Sequence, residues 1–447
     1  MEYIKSKLLE FDLNPPRVLV LGFLALILIG GVLLSIPQAT ASGKNTSLLD
    51  ALFTSASASC VTGLIVVNTA EHWSLFGQAI ILLLIQIGGL GIMTMATIVS
   101  LIAGKKISLK ERLIIKEQMN QETLSGLVKL IRYVIFLTFA VEVVGAIFLS
   151  LTFIPKYGVE KGIWFSIFHS ISAFCNAGFD ITGDSFISFT SSYLTISTLS
   201  VLIIVGGIGF AVILDIAKNR KWTRLGLHTK LVLTISGGLL LLGSVFFFIL
   251  EYSNPETLGS MKFIDKIFAA FFASVVPRTA GFNSIDISLM RESSAFLTII
   301  LMFIGGSPGS TAGGIKTVTF GVILISTISI IRGNRDTEVF KKAINPEIIS
   351  KSLAIVTAGM GLVIFMAFVL TITEGKAFLD VLFESASAFA TVGLSRGITP
   401  DLTDIGKVII ILTMYAGRVG PLTMAFAIGY NKKHRRYRYS EEHISVG

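Results

Sequence analysis

Apolar runs of about twenty residues or more recur eight times along the chain: Val18–Gly43, Trp73–Gly104, Tyr133–Pro155, Ser185–Leu214, Leu231–Leu250, Ser293–Ile331, Ser352–Thr373 and Val408–Asn431. A helix rises about 1.5 Å per residue, so each run is long enough to cross a hydrocarbon core about 30 Å thick. Five runs are free of charge. The other three carry one ionisable side chain each, Glu142, Lys316 and Arg418.

A short pattern lies between the members of each successive pair of runs, and it occurs four times. The copies are FTSASASCVTGL (Phe53–Leu64), FHSISAFCNAGF (Phe168–Phe179), FFASVVPRTAGF (Phe271–Phe282) and FESASAFATVGL (Phe383–Leu394). They align without gaps on Gly63, Gly178, Gly281 and Gly393, with phenylalanine ten residues earlier and Leu or Phe one residue later. A dozen helical residues reach about 18 Å, roughly half a bilayer, so these segments predict re-entrant half-helices followed by pore loops. Non-helical backbone at membrane depth persists only where protein buries it or water lines it.

The expected organisation is an N-terminal segment at 1–16, repeats at 17–104, 105–217, 218–331 and 332–431, and a tail at 432–447. The fold class is an all-α polytopic membrane protein of four tandem helix–pore loop–helix units, arranged with pseudo-fourfold symmetry around one pore. A glycine in each loop permits backbone angles that turn successive carbonyls toward one axis. Four such loops can ring a dehydrated monovalent cation. The candidate filter residues are Val61, Thr62 and Gly63; Asn176, Ala177 and Gly178; Thr279, Ala280 and Gly281; and Thr391, Val392 and Gly393. None is acidic, which argues for carbonyl selection over a carboxylate ring for divalent ions. Asp180, Asp184, Asp286, Asp401 and Asp404 follow downstream, where they could gather cations at an outer mouth.

Composition fits this pattern. Of 447 residues, 53% are hydrophobic and 15% charged, and the mean hydropathy is +0.79, which excludes an ordinary soluble protein. Most of the 37 Lys and Arg residues fall in the N-terminus, the loops at 105–132, 218–230 and 332–351, and the tail, so both termini are expected in the cytoplasm. The net charge of +9 then suits anionic lipid rather than nucleic acid. The two cysteines, Cys60 and Cys175, imply neither a disulfide framework nor a metal site. Five scattered histidines and the lack of a hydrolase or zinc motif argue against an enzyme.

Gly305, Gly306, Ser307, Pro308, Gly309, Ser310, Thr311, Ala312, Gly313 and Gly314 crowd the second run of repeat three, and proline and glycine there predict a broken helix lining the pore. Lys316 closes this loop, reaching either one of its carbonyls or a cytoplasmic partner. Gly88 and Gly89, Gly206 and Gly207, and Ala416–Arg418 lie at similar depth in the other repeats. A lone mid-membrane arginine costs roughly 2.5–3.5 kcal/mol to insert. Arg418 is therefore expected to face the pore, where with the loop it would obstruct cations, or to pair with a carboxylate. Glu142 fits a proton relay, a buried pair or a dimer contact. Arg278 is expected to brace the third half-helix.

The four glycine patterns, GGSPGSTAGGIKT (Gly305–Thr317) and MYAGRVGP (Met414–Pro421) resemble the Trk/Ktr/HKT superfamily of potassium transport proteins over nearly the whole chain, and within it most the membrane subunits of bacterial Ktr systems. The resemblance implies a potassium-translocating, channel-like subunit of the bacterial plasma membrane. It further implies a homodimer with one pore per subunit, docked on a cytoplasmic nucleotide-binding regulatory ring of the KtrA kind. K+ would be the transported ion, Na+ a candidate activator, and no nucleotide would bind this chain itself. Glycine in the first copy, where some plant relatives carry serine, implies potassium over sodium. The competing reading is an ion-coupled secondary cation transporter, for which broken helices are also typical.

Overall fold

The computed structural model describes residues 15–92, 94–95, 109–118, 127–429 and 442. Most of the predicted N-terminal segment at 1–16 and of the tail at 432–447, together with the end of the Trp73–Gly104 run, lies outside the described residues.

Four long helices open the four units: α1 (Pro15–Ser35), α4 (Leu127–Tyr157), α8 (Leu227–Glu251) and α12 (Pro346–Glu374). All four are apolar around most of their circumference and long enough to cross a membrane. Leu28, Ile29 and Val32 of α1 and Ile364, Phe365 and Phe368 of α12 face outward, as lipid permits. Each long helix is followed by a half-helix: α2 (Leu48–Cys60), α5 (Val159–Phe174), α9 (Phe263–Val275) and α13 (Phe378–Ala390). Serine and alanine on their inner turns, such as Ser55, Ala56 and Ser57, are fully buried and let neighbouring backbones approach.

The second apolar run of each unit departs from expectation. The sequence predicts one interruption, in repeat three, but among the described residues none of the four second runs is an unbroken span. In repeat one α3 (Leu75–Leu90) stops at Gly91. In repeat two α6 (Tyr193–Gly207) and α7 (Phe210–Asn219) meet at 95°. In repeat three α10 (Glu292–Phe303) and α11 (Thr317–Ile331) are separated by an irregular loop. In repeat four α14 (Asp404–Val419) and α15 (Pro421–Gly429) are bent by 92°. Gly91, Gly209 and Gly420 share nearly the same backbone angles, with φ of 86°, 98° and 90°, in a region that side chains rarely enter. That turn ends each helix although apolar residues continue on both sides.

Polar ties between units close the arrangement. Trp164 Nε1 of α5 donates to Gln78 Oε1 of α3 at 2.8 Å, and Tyr193 Oη of α6 donates to Asp265 Oδ1 of α9 at 2.8 Å. α10 packs on α13, and Lys407 of α14 pairs with Asp50 of α2 at 2.7 Å. The second run of each unit thus meets the half-helix of the next, and the last meets the first.

Candidate functional site

Each half-helix ends in a turn that delivers three residues to a common centre. In repeats one, two and four the turn is the same: Val61, Asn176 and Thr391 donate N–H to the carbonyl three residues back, and Thr62, Ala177 and Val392 to the carbonyl five back. Serine six residues before each glycine reinforces it. Ser57 Oγ accepts from Gly63 N at 3.0 Å, Ser387 Oγ accepts from Gly393 N at 3.1 Å, and Ser172 Oγ donates to Phe179 O at 2.8 Å. Repeat three carries Val275 there, which offers no hydroxyl.

The four glycines meet one another. A Cβ placed on Gly178 would lie 2.8 Å from Ala280 O, and one on Gly281 would lie 2.5 Å from Val392 O. A Cβ on Gly393 would collide with Thr62 O, and one on Gly63 with Ala177 O. Each glycine therefore abuts the carbonyl just before the next repeat's glycine, so all twelve candidate filter residues come together. One feature escaped sequence reasoning. The first residue of every triplet is also left-handed, with φ of 58° at Val61, 58° at Asn176, 70° at Thr279 and 53° at Thr391. For β-branched side chains this backbone is strained, at about 1–3 kcal/mol each, and such strain collects at functional sites. The hydroxyls of Thr62, Thr279 and Thr391 are buried without a hydrogen-bond partner among the described residues.

On one side of this ring lies a cavity of about 180 Å3 lined by Gly63, Gly178, Gly281, Gly393, Asp180, Asn283, Ser395 and Thr399. Of the five downstream acids only Asp180 lines it, and its carboxylate accepts from Thr182 N, Gly183 N and Ser185 N at 2.9–3.2 Å. Asp401 pairs with Lys376, while Asp184 and Asp286 accept from Ser188 N and Ser288 N. Asp404 sits in the first turn of α14. The wall is braced from behind by two half-helix residues nine positions before their glycines. Glu384 accepts from Ser395 Oγ at 2.8 Å and from Thr399 Oγ1, and His169 Nε2 accepts from Ile181 N at 3.2 Å. Neither side chain is marked in the sequence as a site residue.

On the other side the loop between α10 and α11 presses against the ring. A Cβ on Gly313 would meet Thr391 Oγ1 and would lie 2.8 Å from Ala390 O. The loop is stitched to the break in repeat two: Ser307 N donates to Gly207 O at 2.9 Å, Thr311 N to Gly206 O at 3.2 Å, and Phe210 N to Gly309 O at 3.0 Å. Gly306 N closes the loop on Gly313 O. Arg418 spans the gap beside it, donating to Thr311 O at 2.6 Å and to Gly88 O and Gly89 O of repeat one. Among the described residues no ion pair includes Arg418, so backbone carbonyls hold it where a carboxylate was the alternative. Lys316 Nζ donates to Ala312 O at 2.7 Å, the loop carbonyl of its two predicted targets. Pro308, Gly309, Ser310, Ala312, Gly313, Gly314, Lys316 and Arg418 line a second cavity of about 280 Å3, whereas Gly305, Gly306, Ser307 and Thr311 are buried behind it.

The remaining ionisable candidates are also placed. Arg278 donates to Ser236 O and Ser236 Oγ of α8, bracing the third half-helix. Glu142 is buried inside the protein, beside Gln86 and Cys175, instead of on an outward dimer face.

The family described as TrkH, cation transport protein, matches residues 23–434. The chain belongs to this family. Over 447 residues it is 45% identical to Ktr system potassium uptake protein B of Bacillus subtilis, covering 99% of each chain. It is 43% identical to potassium/sodium uptake protein NtpJ of Enterococcus hirae, covering 99% of this chain and all of that one. Among solved structures it is similar to the potassium transporter TrkH from Vibrio parahaemolyticus, with a TM-score of 0.72, 18% identity, and 94% and 86% of the two chains covered. For a TrkH-family chain, the long apolar helices and the broken second runs belong to a polytopic, all-α, multi-pass membrane protein of a transport family rather than an enzyme family.

Proposed function

We propose that this chain is the potassium-translocating, channel-like membrane subunit of a Ktr-type uptake system. The observation that carries the reading is the closed contact of Gly63, Gly178, Gly281 and Gly393, each against the carbonyl preceding the next. An extended strand alternates its carbonyls between two sides, whereas left-handed angles at the first and third residues of each triplet turn them toward one side. Four units arranged with pseudo-fourfold symmetry would then surround a dehydrated cation with backbone oxygens. Arg418 and the loop at Gly305–Gly314 form the obstruction below, facing the 280 Å3 cavity. The two relatives are uptake proteins for potassium or for potassium and sodium, which supports K+ as cargo; Na+ as an activator is what the family resemblance implies. The lysine and arginine distribution supports cytoplasmic termini in a bacterial plasma membrane. Kinship to a protein of a Ktr system supports a membrane subunit that works within a partner system; a homodimer on a nucleotide-binding ring is the form of it that the family resemblance implies.

The test is rubidium and sodium uptake in cells lacking their own potassium systems. The intact chain should carry Rb+ in preference to Na+, and Gly281→Ser should abolish that preference or all uptake. Equal Rb+ and Na+ uptake by the intact chain would defeat the potassium reading.

A further inference from the structure

Thr311 touches two things that the proposed function treats separately. Its backbone carbonyl accepts from Arg418, and its side chain lies at the lower end of the filter. The hydroxyl is fully buried, with Asn176 Oδ1 at 3.3 Å, Phe174 O at 3.1 Å and Gly206 O at 3.0 Å. Three acceptors therefore converge on one O–H hydrogen. Asn176 is held from its other end too, because its Nδ2 donates to Arg278 O of the third repeat at 3.2 Å. That bond fixes which end of the carboxamide faces Thr311.

Asn176 differs from its counterparts. Val61 has no polar side-chain atom, and the hydroxyls of Thr279 and Thr391 have no partner among the described residues, so the filter base contains one carboxamide that is tied and two hydroxyls that are not. The tie on the carboxamide oxygen comes from the obstructing loop. If the loop departs, Asn176 Oδ1 loses its donor and becomes a free oxygen at the filter base.

We infer that Thr311 is a positioning residue for ion selectivity, fixing Asn176 at the base of the filter, so that loop position and ion preference are coupled. The inference rests on the filter reading above, but it makes a different demand. A loop that only obstructs changes the uptake of all permeant ions by one factor. A loop that also orients Asn176 changes their ratio.

Valine replaces the threonine hydroxyl by a methyl group of similar size and leaves the backbone contact with Arg418 in place. The 3.3 Å contact shares its hydrogen with two carbonyls, so its loss corresponds to the low end of a neutral hydrogen bond's worth, about a two- to threefold change in an equilibrium ratio. Thr311→Val should therefore shift the Rb+ to Na+ uptake ratio by about two- to threefold, and Thr311→Ser, which keeps the hydroxyl, should restore it. Asn176→Val should shift the ratio as well, and the double variant should show no further shift beyond Asn176→Val alone, since coupled residues are not additive. Uptake is scored per amount of protein recovered as a single species in detergent, so a folding defect lowers yield without imitating a ratio change. Equal scaling of Rb+ and Na+ in Thr311→Val, or additive shifts in the double variant, would overturn the inference while leaving the pore reading intact. Failure of the intact chain to prefer Rb+ would remove the pore reading itself and the inference with it.

Discussion

Replacing Arg418 by alanine removes a charge and a bridge at once, and the structure lets the two be separated. A monovalent cation passing about 4 Å from a guanidinium is repelled by about 4 kcal/mol at an effective dielectric constant near 20, and by about 1 kcal/mol in bulk water. The cavity of about 280 Å3 beside Arg418 admits water, so the true value lies between those limits. With about 1.4 kcal/mol per factor of ten in rate, Arg418→Ala should raise initial Rb+ uptake by roughly fivefold to several-hundredfold. The upper end is reached only if no other step limits flux. Arg418→Lys keeps the charge, but a compact ammonium cannot reproduce the planar fork that reaches Thr311 O on one side and Gly88 O on the other. If charge makes the barrier, the lysine variant stays slow; if the bridge does, by pinning the loop, lysine behaves like alanine. The assay is initial-rate Rb+ uptake into proteoliposomes at matched protein content. Unchanged uptake in both variants would refute the placement of Arg418 in the ion path.

The half-helix serines give a second test: Ser57→Ala and Ser387→Ala each remove one buried acceptor for a filter N–H and should lower thermal stability in detergent by about 1–3 kcal/mol, with weakened Rb+ over Na+ preference. Val275→Ala in repeat three, where no such bond exists, should leave the preference unchanged. Glu384→Leu strips the acceptor from Ser395 and Thr399 and should raise the KM for Rb+ at least severalfold, whereas Glu384→Gln, which keeps one carbonyl oxygen, should lie between wild type and leucine. A leucine variant with unaltered KM and stability would show that the outer wall does not depend on this brace. Gly209→Ala would place a methyl group 2.7 Å from Pro308 O at a φ of 98°, and should displace the loop and change Rb+ flux at unchanged expression; unchanged flux would separate the repeat-two break from the loop.

Much of the site was legible because its chemistry is local. The pattern around Gly63, Gly178, Gly281 and Gly393 repeats in register, and the proline and glycine cluster at Gly305–Gly314 announces its own break. Other features were not. The left-handed first residues of the triplets carry ordinary side chains, so no glycine marks them; at Val61 and Thr391 they are the caps of the turn that ends the half-helix, closed by bonds three and five residues back. The bends at Gly209 and Gly420 hide inside continuous apolar sequence, because residues beyond the turn remain apolar and hydropathy does not change there. Arg418 was legible as an anomaly but not in its partners, since backbone carbonyls of Thr311 and Gly88 leave no trace in composition. Glu384 was invisible as a brace because its acceptors' donors, Ser395 and Thr399, lie in a loop whose path only the fold supplies.

The absent serine in repeat three has a wider meaning. A channel assembled from four identical subunits must reinforce every filter strand alike, because one gene writes all of them. Here one polypeptide writes each repeat independently. The repeat that lacks the serine tie, at Val275, is also the repeat whose second run opens into the irregular loop between α10 and α11. On the proposed function a division of labour is expected: three strands stiffened for recognition, and the fourth left free to move with its loop. A chain re-engineered toward perfect fourfold sameness would then be expected to gain rigidity and to lose the proposed obstruction.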